Sequence, residues 1–407
     1  MPFSSLGLSE PLVRSVSQFV VPTPVQTSAI PIALAGGDVL VTAPTGSGKT
    51  TAFVVPLLDR WLATNGDPPR RVHTLILVPT RELAAQVREV VQQFSRELPR
   101  RIKVLSAVGG VSINPQMMAL RGGADFIVAT PGRLLDLVDR NAVQLSEVAS
   151  LVLDEADRML DLGFADEMAR IHKLLPKRRQ NLLFSATFPE AVESMALNLL
   201  HEPIRIKTDP PVEAPPIGQR AIRVDRNNRT PLLRHLVATE GWKRVLVFVA
   251  KQYTAEHVAD KLRRNGISAA SFHGNLSHGA RSDVLADFKN SSTQVLVATD
   301  LAARGLDIVQ LPAVVNYDLP RSAIDYSHRI GRTGRAGEVG GAVSFITAEN
   351  HAHFQLIEKR QHQTIPREEI SGFEPKEIAL PPSHGTGGIK GRHKNKKDKL
   401  REAAAQE

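Results

Sequence analysis

A chain of 407 residues exceeds what one hydrophobic core usually organises, so two domains are expected. Hydrophobic residues at 42% and charged residues at 23% suit a soluble globular protein, the lack of cysteine excludes disulfides and thiolate metal sites, and no apolar run reaches the roughly 18 residues of a membrane span. The formal charge of +9 points to a polyanionic partner such as nucleic acid, although a basic solvated surface would carry the same charge.

Residues 1–15 contain no basic stretch leading into an apolar one, so no secretory signal and a cytoplasmic setting are expected. From Asp38 onward, short apolar runs alternate with amphipathic segments. Residues 38–44 (DVLVTAP), 73–80 (HTLILVPT), 102–110, 124–131, 149–157 and 181–187 each read as a buried strand ending in polar or turn residues. Helical patterns lie between them, such as 81–98 (RELAAQVREVVQQFSREL) and 189–200. Apolar strands separated by helices predict a parallel α/β sheet covered on both faces, with ligands at the carboxyl ends of its strands. The alternation breaks in a proline-rich run, where residues 209–220 are expected to be an interdomain linker. A second series at 244–250, 268–274, 293–300, 313–320 and 341–347 predicts another α/β domain. The expected domains are therefore 1–208 and 221–375, followed by a flexible basic tail from 376 to 407. Lys390, Arg392, Lys394, Lys396, Lys397, Lys399 and Arg401 make that tail either a solvated run or an aid to nucleic-acid affinity.

The run Ala43-Pro44-Thr45-Gly46-Ser47-Gly48-Lys49-Thr50 has the spacing of a phosphate loop, with alanine in place of the first glycine. It follows an apolar strand and opens a helix, so the N–H groups of Gly46, Ser47 and Gly48 can point at phosphate oxygens. Lys49 would neutralise the β- and γ-phosphates, and the Thr50 hydroxyl would ligate Mg²⁺. A glycine-rich turn would use the same letters, but a partner exists: another apolar strand ends in Asp154 and Glu155. A hard Mg²⁺ ion takes few carboxylates alongside phosphates and waters, so Asp154 suits the metal shell and Glu155 the attacking water. A nucleotide with β- and γ-phosphates and Mg²⁺ are the expected ligands. None of the 13 histidines shows H-E-x-x-H spacing.

With these surroundings the chain resembles the DEAD-box family of RNA-dependent ATPases and helicases, from Phe3 to Thr347. The resemblance implies two tandem RecA-like domains and a phosphate loop that often starts with alanine. It implies that Gln26, in PTPVQ, reads adenine with an amide that both donates and accepts, and that Phe19 stacks on the base. It assigns Ser185 and Thr187 of the SAT tripeptide, with Asp157 and His328, to coupling between the nucleotide and domain movement. In His328–Gly337 (HRIGRTGRAG), Arg329, Arg332 and Arg335 recur every third residue among glycines that a basic helix end would not need. By resemblance, Arg332 and Arg335 reach the γ-phosphate across the interdomain cleft, Asp307 accepts from the ribose, and Thr299 and Asp300 lie near RNA and the closed cleft. Further RNA contacts carry over onto Thr80, Arg81, Gly109, Gly110, Thr130, Gly132, Arg133 and Arg281. Hydroxyl, guanidinium and glycine N–H groups suit phosphate and 2′-OH recognition, and aromatic residues at 5% are too sparse for a stacking platform. The chain departs from the family's pattern at Gln18, where glycine is common, and at His278, where glutamine is common. Its compact layout most resembles bacterial RhlE-type members. The implied activity is ATP-dependent unwinding of short RNA duplexes and remodelling of ribonucleoproteins, with ribosomal or ribonucleoprotein partners and no membrane. An ATP-dependent RNA clamp and a DNA-directed helicase are the alternatives.

Overall fold

The computed structural model describes residues 2–19, 21–44, 46–64, 69–208, 217–303, 308, 311–334 and 340–377. Seven strands, β1 (Val39–Thr42), β2 (Thr74–Leu77), β3 (Val104–Ala107), β4 (Phe126–Ala129), β5 (Ser150–Leu153), β6 (Gln180–Ser185) and β7 (Ile204–Lys207), form one parallel sheet in the order β3-β4-β2-β5-β6-β1-β7. Seven more, β8 (Gly218–Arg223), β9 (Val245–Val249), β10 (Ala269–Phe272), β11 (Val295–Thr299), β12 (Ala313–Asn316), β13 (Gly341–Ile346) and β14 (Arg367–Glu368), form a second in the order β10-β11-β9-β12-β13-β8-β14. The second order repeats the first strand for strand, so the chain is two copies of one α/β plan, as the RecA-like expectation requires.

The alternation of side chains along a strand explains the apolar runs. Val39 and Val41 of β1 enter one core, shared with Ile76, Phe126 and Val128, while Leu40 enters the other with Leu75, Leu77 and Ile127. Both faces are therefore covered. The helix Arg81–Phe94 supplies part of that cover: Leu83, Val87, Val91 and Phe94 recur at helical spacing and are all buried. Its first turn is capped by Thr80, whose hydroxyl accepts the Leu83 N–H at 3.3 Å.

Three strands carry no apolar run and were not foreseen: β7, β8 and β14. β7 is an edge strand whose Ile206 alone is buried. β8 (GQRAIR) is polar because its Arg220 is needed outside the core, in ion pairs with Glu368 and Glu240. β8 begins at Gly218 and so takes three residues from the stretch expected to be linker; residues 209–216 lie outside the described residues. The second half likewise runs beyond 375, because the N–H groups of Lys376 and Glu377 bind the Asp225 carboxylate at 2.9–3.0 Å. The remainder of the expected tail, 378–407, lies outside the described residues.

Candidate active site

Strand register brings the chemistry to one edge of the first sheet. Thr42 of β1 pairs with Ser185 of β6, and Leu153 of β5 with Leu183, so the phosphate loop, Asp154–Glu155 and Ser185–Thr187 leave three adjacent strands at the same end. Thr80–Arg81, Gly109–Gly110 and Thr130–Arg133 follow β2, β3 and β4, the other half of that sheet. Motifs that interleave along the chain are thus sorted into two neighbouring patches.

In the phosphate loop, Gly48 has φ of 90°, and a Cβ there would lie 2.4 Å from Nε2 of Gln26. Only glycine meets both demands. Ala43 is buried outside the left-handed region, which is why alanine serves at that position. Lys49 is buried, and its Nζ donates to the Ala43 carbonyl at 2.7 Å, holding the charge within the loop. Gln26 is partly engaged: Oε1 accepts the Thr23 N–H at 2.9 Å and Nε2 donates to the Gly48 carbonyl at 3.2 Å. One amide hydrogen and one lone pair remain for a base. Phe19 is 42% exposed, with its ring against Phe3 and Phe94 at 6.3 and 6.0 Å. Thr45 lies outside the described residues.

Asp154 and Glu155 are buried at the end of β5. Glu155 has φ of 53°, a left-handed conformation that costs a non-glycine residue roughly 1–3 kcal/mol. Its Oε2 accepts no hydrogen bond from the protein; Arg158 Nη1 stands 3.6 Å away. Burial pushes the Asp154 carboxyl up to about 7, against the opposing pull of Lys49. Two buried carboxylates, one with an orphaned oxygen, fit a hard divalent cation. Among the described residues no cluster of three or more His, Asp or Glu could cage a metal, so such an ion would draw the rest of its shell from phosphates and water.

The same burial makes a prediction about stability. The folded-state pKa of Asp154 lies above its usual 3.8, so the fold binds this proton more tightly than the unfolded chain does. Stability is therefore lost as pH rises from about 4 to about 7. Asp154→Asn is expected to raise the melting temperature of the nucleotide-free protein at pH 8 by at least ~4 °C, with a smaller gain at pH 5. Calorimetry at the two pH values checks this, and an unchanged melting temperature at pH 8 would contradict it.

Asp157 ties two loops together. Its Oδ2 accepts the Thr187 N–H and hydroxyl at 2.9 and 2.7 Å, while Ser185 Oγ donates to the Thr187 carbonyl at 2.6 Å and accepts the Asp157 N–H at 3.3 Å. The hydroxyls of Ser185 and Thr187 are thus spent within the first half. What meets the second half is Arg158, which lines one small cavity with Asp300, Asp325, His328, Arg329 and Arg332. Burial lowers the pKa of His328, helped by the charges of Arg158 and Arg332 and opposed by those of Asp157 and Glu155. Arg158 was not among the expected coupling residues, yet it lines this cavity.

Arg329 and Arg332 of the second half separate in role. Arg329 is 3% exposed and fully engaged, with Nε and Nη2 bidentate on Asp300 at 2.6 and 2.7 Å and Nη1 on the Asn316 side chain and the Asp318 carbonyl. Asp300, expected near RNA and the closed cleft, lines the cavity with Arg158 and braces Arg329. Arg332 faces the cleft; Arg335 and Asp307 lie outside the described residues.

Among the expected RNA contacts, Arg81 reaches the Gly110 carbonyl at 3.5 Å and Arg133 donates to the Val111 carbonyl at 2.9 Å, bracing the glycine loop from two sides. Thr130 makes no capping bond with its hydroxyl, and Thr299 is buried at the end of β11. Arg281, expected to contact RNA, has protein partners. It is 6% exposed, its Nη2 lies 2.6 Å from Oε1 of Glu82, and its guanidinium sits over the Phe272 ring. It bolts the second half to the first. A nearly buried pair is costly to break from one side because the remaining charge is stranded. Glu82→Arg is expected to reduce nucleic-acid-stimulated ATP turnover about 10-fold, and Glu82→Arg with Arg281→Glu to recover most of it. Equal activity of the single and double variants in a turnover assay would show that the pair does no such work.

A family model described as DEAD/DEAH box helicase matches residues 23–195, and one described as Helicase conserved C-terminal domain matches 228–337. The Synechocystis sp. protein "RNA helicase CrhR" is 40% identical over 367 residues, covering 89% of this chain and 73% of its own length. The Arabidopsis thaliana "DEAD-box ATP-dependent RNA helicase 28" is 39% identical over 383 residues, covering 90% of this chain and 48% of its own length, so the chain spans about half of that relative. Among solved structures, Saccharomyces cerevisiae Dbp5 bound to RNA and ADP BeF3 matches 90% of this chain and 95% of its own, with 32% identity and a TM-score of 0.80.

Proposed function

Because this chain belongs to the DEAD-box helicase family, we propose that it is an RNA-dependent ATPase that separates short RNA duplexes, using ATP and Mg²⁺. The observation that carries this reading is the cleft where Arg158 faces His328 and Arg332 from the other half, with the charges of Asp157 and Glu155 acting on His328. The first half, to residue 208, holds adenine with Gln26 and Phe19 and phosphates with residues 43–50. Asp154 and Thr50 hold Mg²⁺, which neutralises β- and γ-phosphate oxygens when bound. Glu155 orients the attacking water. The second half, from residue 218, adds Arg332 and Arg335 at the γ-phosphate and Asp307 at the ribose.

RNA lies across Thr80, Arg81, Gly109, Gly110, Thr130, Gly132, Arg133 and Thr299. A Cβ added at Gly109 or Gly132 would meet nothing within 4 Å, so packing does not demand glycine there, whereas close approach of a phosphate does. Similarity to the RNA- and ADP BeF3-bound relative supports reading the Glu82–Arg281 contact as part of a closed state. RNA and ATP together close the halves, and hydrolysis lets them part. No helix among the described residues is long and apolar enough to cross a membrane. We place the activity in the cytoplasm, with ribonucleoprotein particles as partners. The test is the ATPase rate with and without single-stranded RNA or DNA, read beside duplex separation. Strong RNA stimulation with strand displacement is expected. Stimulation without displacement identifies a clamp, and preference for DNA overturns the substrate.

A further inference from the structure

The first half carries a second concavity that none of the nucleotide or RNA residues line. The helices Ala165–Leu174 and Glu190–Leu199 leave between them an apolar slot of about 660 Å³, floored by Leu77, Leu151 and Leu153 and walled by Met168, Ile171 and Met195. It shares His172, Lys173, Asn198 and Leu199 with an adjoining depression of about 1040 Å³, lined by Lys177, Arg178, Arg179 and His201. That depression lies at the amino ends of β1 and β6, beside Gly37, Asp38 and Asn181, at the opposite end of the sheet from the phosphate loop. Lys173, Lys177, Arg178 and Arg179 outnumber Asp38 and Glu202 in its lining, so the depression keeps a cationic excess, and both Asp38 oxygens are occupied by the Asn181 amides and the His201 N–H. Arg179 Nε and Asn181 Oδ1 are buried there without a hydrogen-bond partner. On the two helices, Leu174 and Leu197 are 42% and 71% exposed.

We propose that this slot docks an acidic amphipathic peptide segment of a partner protein, with its apolar side chains in the slot and its carboxylates against Lys173, Lys177 and Arg178. Charge and composition select this occupant. RNA would answer the cationic depression, but the slot is lined mainly by Leu, Ile, Met and Ala. His172, the ring among its lining residues, sits at the edge shared with the depression, so successive bases would find no stacking platform. The chain's own basic segment, Lys390 to Arg401, has the same sign as the rim and is repelled. Methionine walls adapt to varied apolar side chains, and a helix with leucines on one face and carboxylates beside them satisfies slot and rim together. The position also has consequences. Leu160, from the short helix that follows Glu155, lines the slot, and the helix Glu190–Leu199 follows Thr187, so an occupant presses on both loops of the candidate active site.

The test uses the full chain labelled at its methionine methyl groups. The probe is a synthetic peptide of about 14 residues with leucines at i, i+3, i+4 and i+7 and glutamates elsewhere; its scrambled order, its lysine counterpart and oligo(U) are the controls. The acidic peptide is expected to shift the Met168 and Met195 methyl signals but not that of the exposed Met118. Its affinity should fall about 10-fold in Lys177→Glu/Arg178→Glu and in Leu197→Asp, with RNA-stimulated ATPase unchanged in both variants without peptide. Equal binding by the scrambled or lysine peptide, still Met168 and Met195 signals, or oligo(U) shifting those signals would each overturn the proposal.

Discussion

Glu155→Gln is expected to bind ATP and single-stranded RNA as the parent does, while turning ATP over at least ~100-fold more slowly. The change keeps the shape and hydrogen-bonding reach of the side chain but removes its basicity. It also removes a charge whose Oε2 is buried, accepts no hydrogen bond, has Arg158 Nη1 at 3.6 Å, and is held by a backbone in the left-handed region. A carboxylate kept under those conditions is destabilising to the fold, so its position calls for a chemical reason. Nucleotide affinity by fluorescence and single-turnover hydrolysis separate binding from chemistry. Near-normal turnover by the glutamine variant would remove Glu155 from the mechanism.

Arg332→Ala is expected to lower RNA-stimulated turnover by roughly 10³-fold, and Arg332→Lys to recover little of it. A guanidinium spreads its charge over a planar fork that matches phosphate oxygens, whereas an ammonium offers a single point charge. Affinity for RNA without nucleotide should stay within a few-fold, because Arg332 faces the cavity with Arg158 and not the loops after β2, β3 and β4. Arg329→Ala, by contrast, should lower the melting temperature, since it strands Asp300 and opens bonds to Asn316 and Asp318. The pair of variants therefore tells a group that acts on the nucleotide from a group that braces the fold. If Arg332→Ala hydrolyses ATP at the parent's rate with RNA present, the cleft is not where turnover is completed.

Much of the fold was legible because buried parallel strands leave a strong local mark. β2 (TLIL), β5 (SLVL) and β9 (VLVFV) are buried at every position, and such runs cannot be confused with loops. β7 (IRIK) and β8 (GQRAIR) left no such mark, since strands near a wet edge keep polar side chains. The phosphate loop was legible for a different reason: Gly48 answers a local backbone demand and its spacing to Lys49 is set by the chain itself. The protein partner of Arg281 was not legible, because an arginine free to meet RNA and an arginine paired with a distant carboxylate are the same letter in the same helix. Nothing within several residues of Arg281 announces Glu82, which lies in the other half of the chain.

The sequence by itself determined the duplicated α/β plan, the phosphate loop with its Lys49, and the carboxylate pair that ends β5, because each is encoded over a handful of neighbouring residues. Only the tertiary structure decided that Asp157 binds Thr187, that Arg158 faces His328 and Arg332, and that Arg281 belongs to Glu82. The physical reason is that a side chain's charge and reach are properties of the residue, whereas its partner depends on which distant strand ends the sheet order brings beside it.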